Sequence, residues 1–174
     1  QPPVLVGASM GGLLGLFSQG HRDPPPFRAL VLADITPRWE AAGVERILGF
    51  MTAHPGGFES LEHAADAIAA YLPHRARKSP EDLEKLLVRQ PGGRWRWHWD
   101  PRMIESIGRS GEEYQAHLIE AAQRIEVPVL LVSGGRSELV REAHVDEFLS
   151  LVPHAHHVRL PEATHMVVGD DNDA

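Results

Sequence analysis

Short apolar runs alternate with segments of helical spacing, and this alternation constrains the chain more than any other feature. Residues 2–6 (PPVLV), 28–37 (RALVLADITP), 127–135 (VPVLLVSGG) and a weaker stretch near 157–160 each read as a buried strand. The first meets a glycine turn and then helical spacing over 12–19 (GLLGLFSQ). Helical patterns also occupy 39–53, 57–72, 79–90, 111–125 and 142–152. Ser79, Pro80 and Asp82 form a helix-start signal for the 79–90 segment. Strands alternating with helices predict an α/β fold with a parallel sheet. About ninety mostly helical residues separate the second and third strands, too many for one crossover. The expected division is a core of 1–36 with 123–174 and a helical lid over 37–122, inserted between those two strands.

The turn after the first strand carries Gly7-Ala8-Ser9-Met10-Gly11, a G-x-S-x-G pattern between an apolar strand and an apolar helix. A serine hydroxyl is a weak nucleophile and needs a base, itself oriented by an acid. A tight strand-to-helix turn lifts such a hydroxyl into a pocket, and glycines leave room for it. The N–H of Met10 then faces a developing oxyanion, aided by the helix dipole. The base is expected in a loop after the last strand, where His165 stands in PEATHM. The acid is expected after the third strand, where Glu138 stands in VSGGRSELV; Asp34, after the second strand, is the reserve acid.

Other features are weaker. Eleven histidines include 154–157 (HAHH), which reads as a solvated turn better than a metal cluster, and no metal is expected. Asp170, Asp171 and Asp173 read as helix-entry acids. In WRWHW, 95–99, the three tryptophans share one face of an extended segment. That face is either an aromatic wall over the active site or a small core within the lid. Trp97, Phe50 and Met166 are the candidate pocket residues, with Phe58 and Met51 open to either reading. A net charge of −7 argues against nucleic acid, and no apolar stretch is long enough to span a bilayer. The absence of cysteine excludes disulfides and thiolate metal sites and is compatible with a cytoplasmic setting.

These residues, in this order, resemble the α/β-hydrolase fold superfamily, in its cofactor-free bromoperoxidase/esterase branch. The resemblance implies Ser9 as nucleophile, Glu138 as acid, His165 as base and Met10 N–H as one oxyanion donor, with no cofactor and a small-molecule substrate. GRWRWHWDP, 93–101, is similar to a lid segment of some members. Two departures are Glu rather than Asp at 138 and Thr164 where a glycine often precedes the histidine. The resemblance further implies that an elbow follows the fifth of eight strands. The first four strands and the loop giving the second oxyanion donor are then expected from the same or another chain, with a homo-oligomer as one arrangement. The implied activity is ester hydrolysis through an acyl-enzyme. Haloperoxidase, perhydrolase or C–C bond hydrolase chemistry with the same triad is the alternative, and a non-catalytic binding protein a third reading.

Overall fold

β1 (Val4–Ala8) runs into α1 (Met10–His21), and the chain returns as β2 (Ala29–Ala33). In the computed structural model, which describes residues 1–102, 104 and 111–170, there follow α2 (Ala41–Thr52), α3 (Leu61–Tyr71), α4 (Pro80–Leu83), β3 (Leu87–Arg89) and β4 (Trp95–Trp97). The remaining elements are α5 (Gly111–Gln123), β5 (Val129–Gly134), α6 (Glu142–Leu151), β6 (His156–Leu160) and the short α7 (Val167–Asp170). Four strands form one sheet in the order β1-β2-β5-β6, and all three pairings are parallel. The alternation of apolar runs and helices therefore yields the sheet it predicts.

The register matters for function. Ala8 lies opposite Ala33, and Ala33 opposite Val132. The residues just past these strands, Ser9 and Asp34, thus emerge side by side at the carboxyl ends, where open parallel sheets carry their sites. Leu30, Leu32, Leu131, Leu16 and Phe148 are all at most 1% exposed and hold the sheet to its helices. Each such side chain contributes about 1.5–3 kcal/mol by burial. β1 pairs with β2 alone among the described residues, and Val6 on it is 71% exposed.

Two compact units emerge, Gln1–Glu45 with Ser110–Ala174, and Arg46–Arg109. α5 packs on α1 in the first, where His21 Nε2 meets the His117 carbonyl at 3.2 Å. This differs from a helical block ending at 122: the apolar face of α5, with Leu118, Ala121 and Ala122 buried, serves the sheet unit. The N-terminal turn of α2 also belongs to that unit.

The second unit has its own core of Phe58, Ala64, Ala65, Leu83 and Leu87. Ser60 and Ser79 cap α3 and α4 by accepting the His63 and Asp82 N–H groups. The helix expected over 79–90 stops after one turn. Leu87–Arg89 instead pairs antiparallel with Trp95–Trp97 around a turn in which Gly93 takes φ +82°. Cross-strand pairing with the tryptophan segment overrides the local helical spacing there.

Among the described residues no helix is long and apolar enough to cross a membrane. No group of three or more His, Cys, Asp or Glu among them could hold a metal ion. The 154–157 histidines go to separate partners: His154 Nε2 to the Val127 carbonyl at 2.9 Å, and His157 Nε2 to Ser133 Oγ at 2.8 Å.

Burial, assisted by Arg159 and opposed by Asp146, pushes His157 below the usual imidazole range. The unfolded chain then binds more protons than the folded one as pH falls through about 6.5. The contribution of His157 to stability is therefore full above that range and lost as pH falls below it. Urea unfolding from pH 7.5 to 5 is expected to show a falling midpoint, and a shallower fall in His157→Gln.

Candidate functional site

Ser9 sits between β1 and α1 with φ 48° and ψ −123°, and its hydroxyl makes no helix cap. Asp34, just past β2, takes φ 49°. Among the described residues these are the two non-glycine positions at positive φ. Such backbone costs of order 1–3 kcal/mol per residue and clusters at functional sites. Ser9 is tied down by its own N–H to the Ala33 carbonyl at 3.3 Å, and its carbonyl accepts the Gly12 and Leu13 N–H groups.

The turn is tight because Gly7 and Gly12 touch. A Cβ on Gly7 would lie 2.7 Å from the Gly12 Cα, and one on Gly12 2.6 Å from Ile35 Cγ2. Gly11 has nothing within 4 Å of such a Cβ. So the steric demand falls on the first glycine of the pattern and on the glycine beyond it.

His165 lies between β6 and α7 and bridges the two strained residues. Its Nε2 is 3.1 Å from Ser9 Oγ and its Nδ1 is 2.8 Å from Asp34 Oδ2. The imidazole side chain is 9% exposed and the Asp34 side chain 0%. A carboxylate buried this deeply requires donors on both oxygens. Oδ1 accepts the Gly134 N–H at 2.7 Å, while Oδ2 accepts Ser137 Oγ–H at 2.5 Å as well as His165.

The acid beside the histidine is therefore Asp34, the reserve, and Glu138 is not on His165 Nδ1. The reason lies in register: Asp34 leaves β2 one step after Ala33, level with Ser9, whereas Glu138 stands four residues beyond Gly134. The Glu138 backbone packs instead on α2, its carbonyl oxygen 2.3 Å from where Gly43 would carry a Cβ. A signal for Asp34 was present, because Ser9 and Asp34 have the same offset from their parallel strands.

Three further supports hold this geometry, and none of their roles is legible in local spacing. Gly134 and Gly135 bring the histidine loop against β5, since a Cβ on either would meet the Thr164, Ala163 or Pro161 carbonyl at 2.3–2.6 Å. Thr164 gives both its N–H, at 2.8 Å, and its hydroxyl, at 2.5 Å, to Asp170 Oδ2. Thr164 Oγ1 in turn accepts the Met166 N–H at 3.2 Å. The threonine in place of a glycine thus anchors the loop, and Asp170 is its partner. The third support is Ser137. The G-G-x-S spacing after a strand was its only trace in the sequence.

Met10 opens α1, so its N–H is one of the helix's first four donors without an intrahelical acceptor. Met10 and Met166, beside Ser9 and His165, are 41% and 47% exposed. Trp97 and Phe50 lie in the second unit. Trp97 meets Phe58 edge-on at 5.4 Å and Phe50 at 6.0 Å, and Phe50 stacks on Tyr71 at 4.1 Å. Trp95 and Trp97 pack against that unit's core, the second of the two readings of the tryptophan face.

The sequence matches the model of the alpha/beta hydrolase family over residues 1–174. It is 30% identical over 170 residues to the 3-hydroxybutyrate-oligomer hydrolase of Cupriavidus necator, covering 91% of this chain and 57% of that protein. Its fold is similar to that of E-2-(acetamidomethylene)succinate hydrolase, with TM-score 0.81, 22% identity, and coverage of 99% of this chain and 63% of that one. It is also similar to an esterase of Mycobacterium tuberculosis, with TM-score 0.68, 26% identity, and coverage of 94% and 56%. The chain thus spans less than two thirds of the length of each of these three proteins.

The glycine contacts make a direct prediction. Gly7→Ala is expected to lower unfolding free energy by about 1–3 kcal/mol, the range for inserting a methyl where backbone must move. Gly11→Ala is expected to stay within about 0.5 kcal/mol of the parent. Chemical denaturation of the two variants side by side measures the difference.

Proposed function

Because this chain belongs to the alpha/beta hydrolase family, we propose that it works as a serine hydrolase on carboxylic esters of small or medium apolar acids. The observation that carries this reading is the continuous relay Ser9 Oγ, His165 Nε2, His165 Nδ1, Asp34 Oδ2, with links of 3.1 and 2.8 Å. Both lie within hydrogen-bond reach for proton transfer.

In this mechanism Ser9 Oγ attacks the ester carbonyl carbon while His165 Nε2 takes the hydroxyl proton. Asp34 holds the imidazole with its Nδ1–H inward and stabilises the imidazolium that forms. The Met10 N–H stabilises the oxyanion of the tetrahedral intermediate. Collapse expels the alcohol, which receives the proton from His165, and leaves Ser9 acylated. His165 next draws a proton from water as that water attacks the acyl carbon. The second tetrahedral intermediate then collapses, the acid departs, and His165 returns the proton to Ser9 Oγ. The ester reading draws support from the hydroxybutyrate-oligomer relative and from the esterase of similar fold. Met10 and Met166 are the residues proposed to face the apolar part of the substrate.

A fluorophosphonate probe applied to the full-length protein tests the nucleophile. Labelling of wild type and none of Ser9→Ala is expected; an unlabelled wild type overturns the reading. The acid is tested separately with p-nitrophenyl esters. Asp34→Asn is expected to lower kcat by about 10³–10⁴-fold, because an amide both reverses the partner demanded of Nδ1–H and removes the charge. Glu138→Gln is expected to keep kcat within a few-fold. The reverse ranking would return the acid role to Glu138. Turnover of peroxide or of C–C substrates without ester cleavage would replace the reaction while keeping the triad.

A further inference from the structure

Ser137 is half-buried and joins the same network through Asp34, with its hydroxyl bonded to neither Ser9 nor His165. Its hydroxyl is saturated. Oγ accepts the Leu139 and Val140 N–H groups, each at 3.1 Å, and donates to Asp34 Oδ2 at 2.5 Å. A hydroxyl has one donor and two acceptor positions. With both acceptor positions filled by backbone N–H groups, its proton is left with one direction, toward Asp34. On the carboxylate, Oδ1 is held by Gly134 N–H and Oδ2 is shared between Ser137 and His165. Ser137 therefore occupies one side of the oxygen that His165 uses and restrains rotation of the carboxylate about its Cβ–Cγ bond.

We infer that Ser137 is a positioning residue of the hydrolytic site: it aims Asp34 Oδ2 so that His165 is presented to Ser9 with Nε2 toward the hydroxyl. This rests on the serine-hydrolase reading of Ser9, His165 and Asp34. The loop that carries Ser137 does not depend on this hydroxyl alone. Backbone bonds from Glu40 N–H to the Leu139 carbonyl at 2.9 Å, from Arg136 N–H to the Ala163 carbonyl at 2.9 Å, and from Ser137 N–H to the Gly134 carbonyl at 3.2 Å also hold it. Removing the hydroxyl is thus expected to disturb the acid more than the fold.

The test uses the full-length protein, a fluorophosphonate probe and proton NMR of the downfield Nδ1–H of His165, assigned by its loss in Asp34→Asn. Ser137→Ala is expected to label about tenfold more slowly at saturating probe, with the half-saturating probe concentration unchanged. That factor corresponds to the loss of one charge-assisted hydrogen bond. The Nδ1–H resonance is expected to move in Ser137→Ala. Ser137→Thr, which keeps the hydroxyl, is expected to restore both rate and resonance. Ser137→Cys fills the same space with a weak donor and is expected to behave as Ser137→Ala, so the comparison survives if the alanine variant fails to fold. A wild-type resonance position in both the Ala and Cys variants overturns the positioning role, as does a wild-type labelling rate. These outcomes are read only against a wild type labelled at Ser9. An unlabelled wild type overturns the hydrolase reading and this inference with it.

Discussion

The buried carboxylate of Asp34 ties the site together. It draws a donor from the end of β5, a second from the loop beyond it, and a third from the histidine loop after β6. An ionisable group at 0% exposure would be strongly unfavourable without such partners. No buried side-chain nitrogen or oxygen among the described residues lacks a partner. The same bonds that make the carboxylate tolerable therefore fix three chain segments relative to Ser9. Stability and geometry are served by one set of contacts.

Strain is the other side of this arrangement. Ser9 and Asp34 hold positive φ values of 48° and 49°. Each follows a strand whose backbone is locked into a parallel ladder. Gly7 and Gly12 let α1 start within contact of β1, and Gly134 and Gly135 let the histidine loop lie on β5. A close-packed interior does not deform continuously, so these small residues decide where the strained ones can exist. The apolar layer beneath, with Leu30, Leu32 and Leu131 almost wholly buried, supplies the rigidity that maintains the strain.

The second unit illustrates how an apolar face can be spent on folding. Its tryptophan strand alternates as its sequence implies, with Trp95, Trp97 and Trp99 half-buried and Arg96 and His98 exposed. That unit has few large aliphatic side chains in its core: Leu83 and Leu87 beside Phe58 and two alanines. Aromatic rings fill the remaining space, with edge-on and stacked contacts at 4.1–6.5 Å. Helical spacing over 79–90 lost to the strand pairing these rings require.

Local sequence determined the parallel sheet, the strand–turn–helix at Ser9, the capped helix starts and the position of His165. Each depends on neighbours within a few residues: apolar runs, glycines in a turn, a serine before a proline. The choice of acid was different. Asp34 and His165 are 131 positions apart, and only the strand register brings a residue one step past Ala33 level with one a step past Ala8. Glu138 had the expected place along the chain but not in space. Asp170 reads in the sequence only as a helix-entry acid and Ser137 only as part of a G-G-x-S turn, because a hydroxyl or carboxylate supports a site only through the partners that folding puts beside it. Spacing along the chain encodes elements; which polar atoms share a buried volume is decided by the packing of those elements.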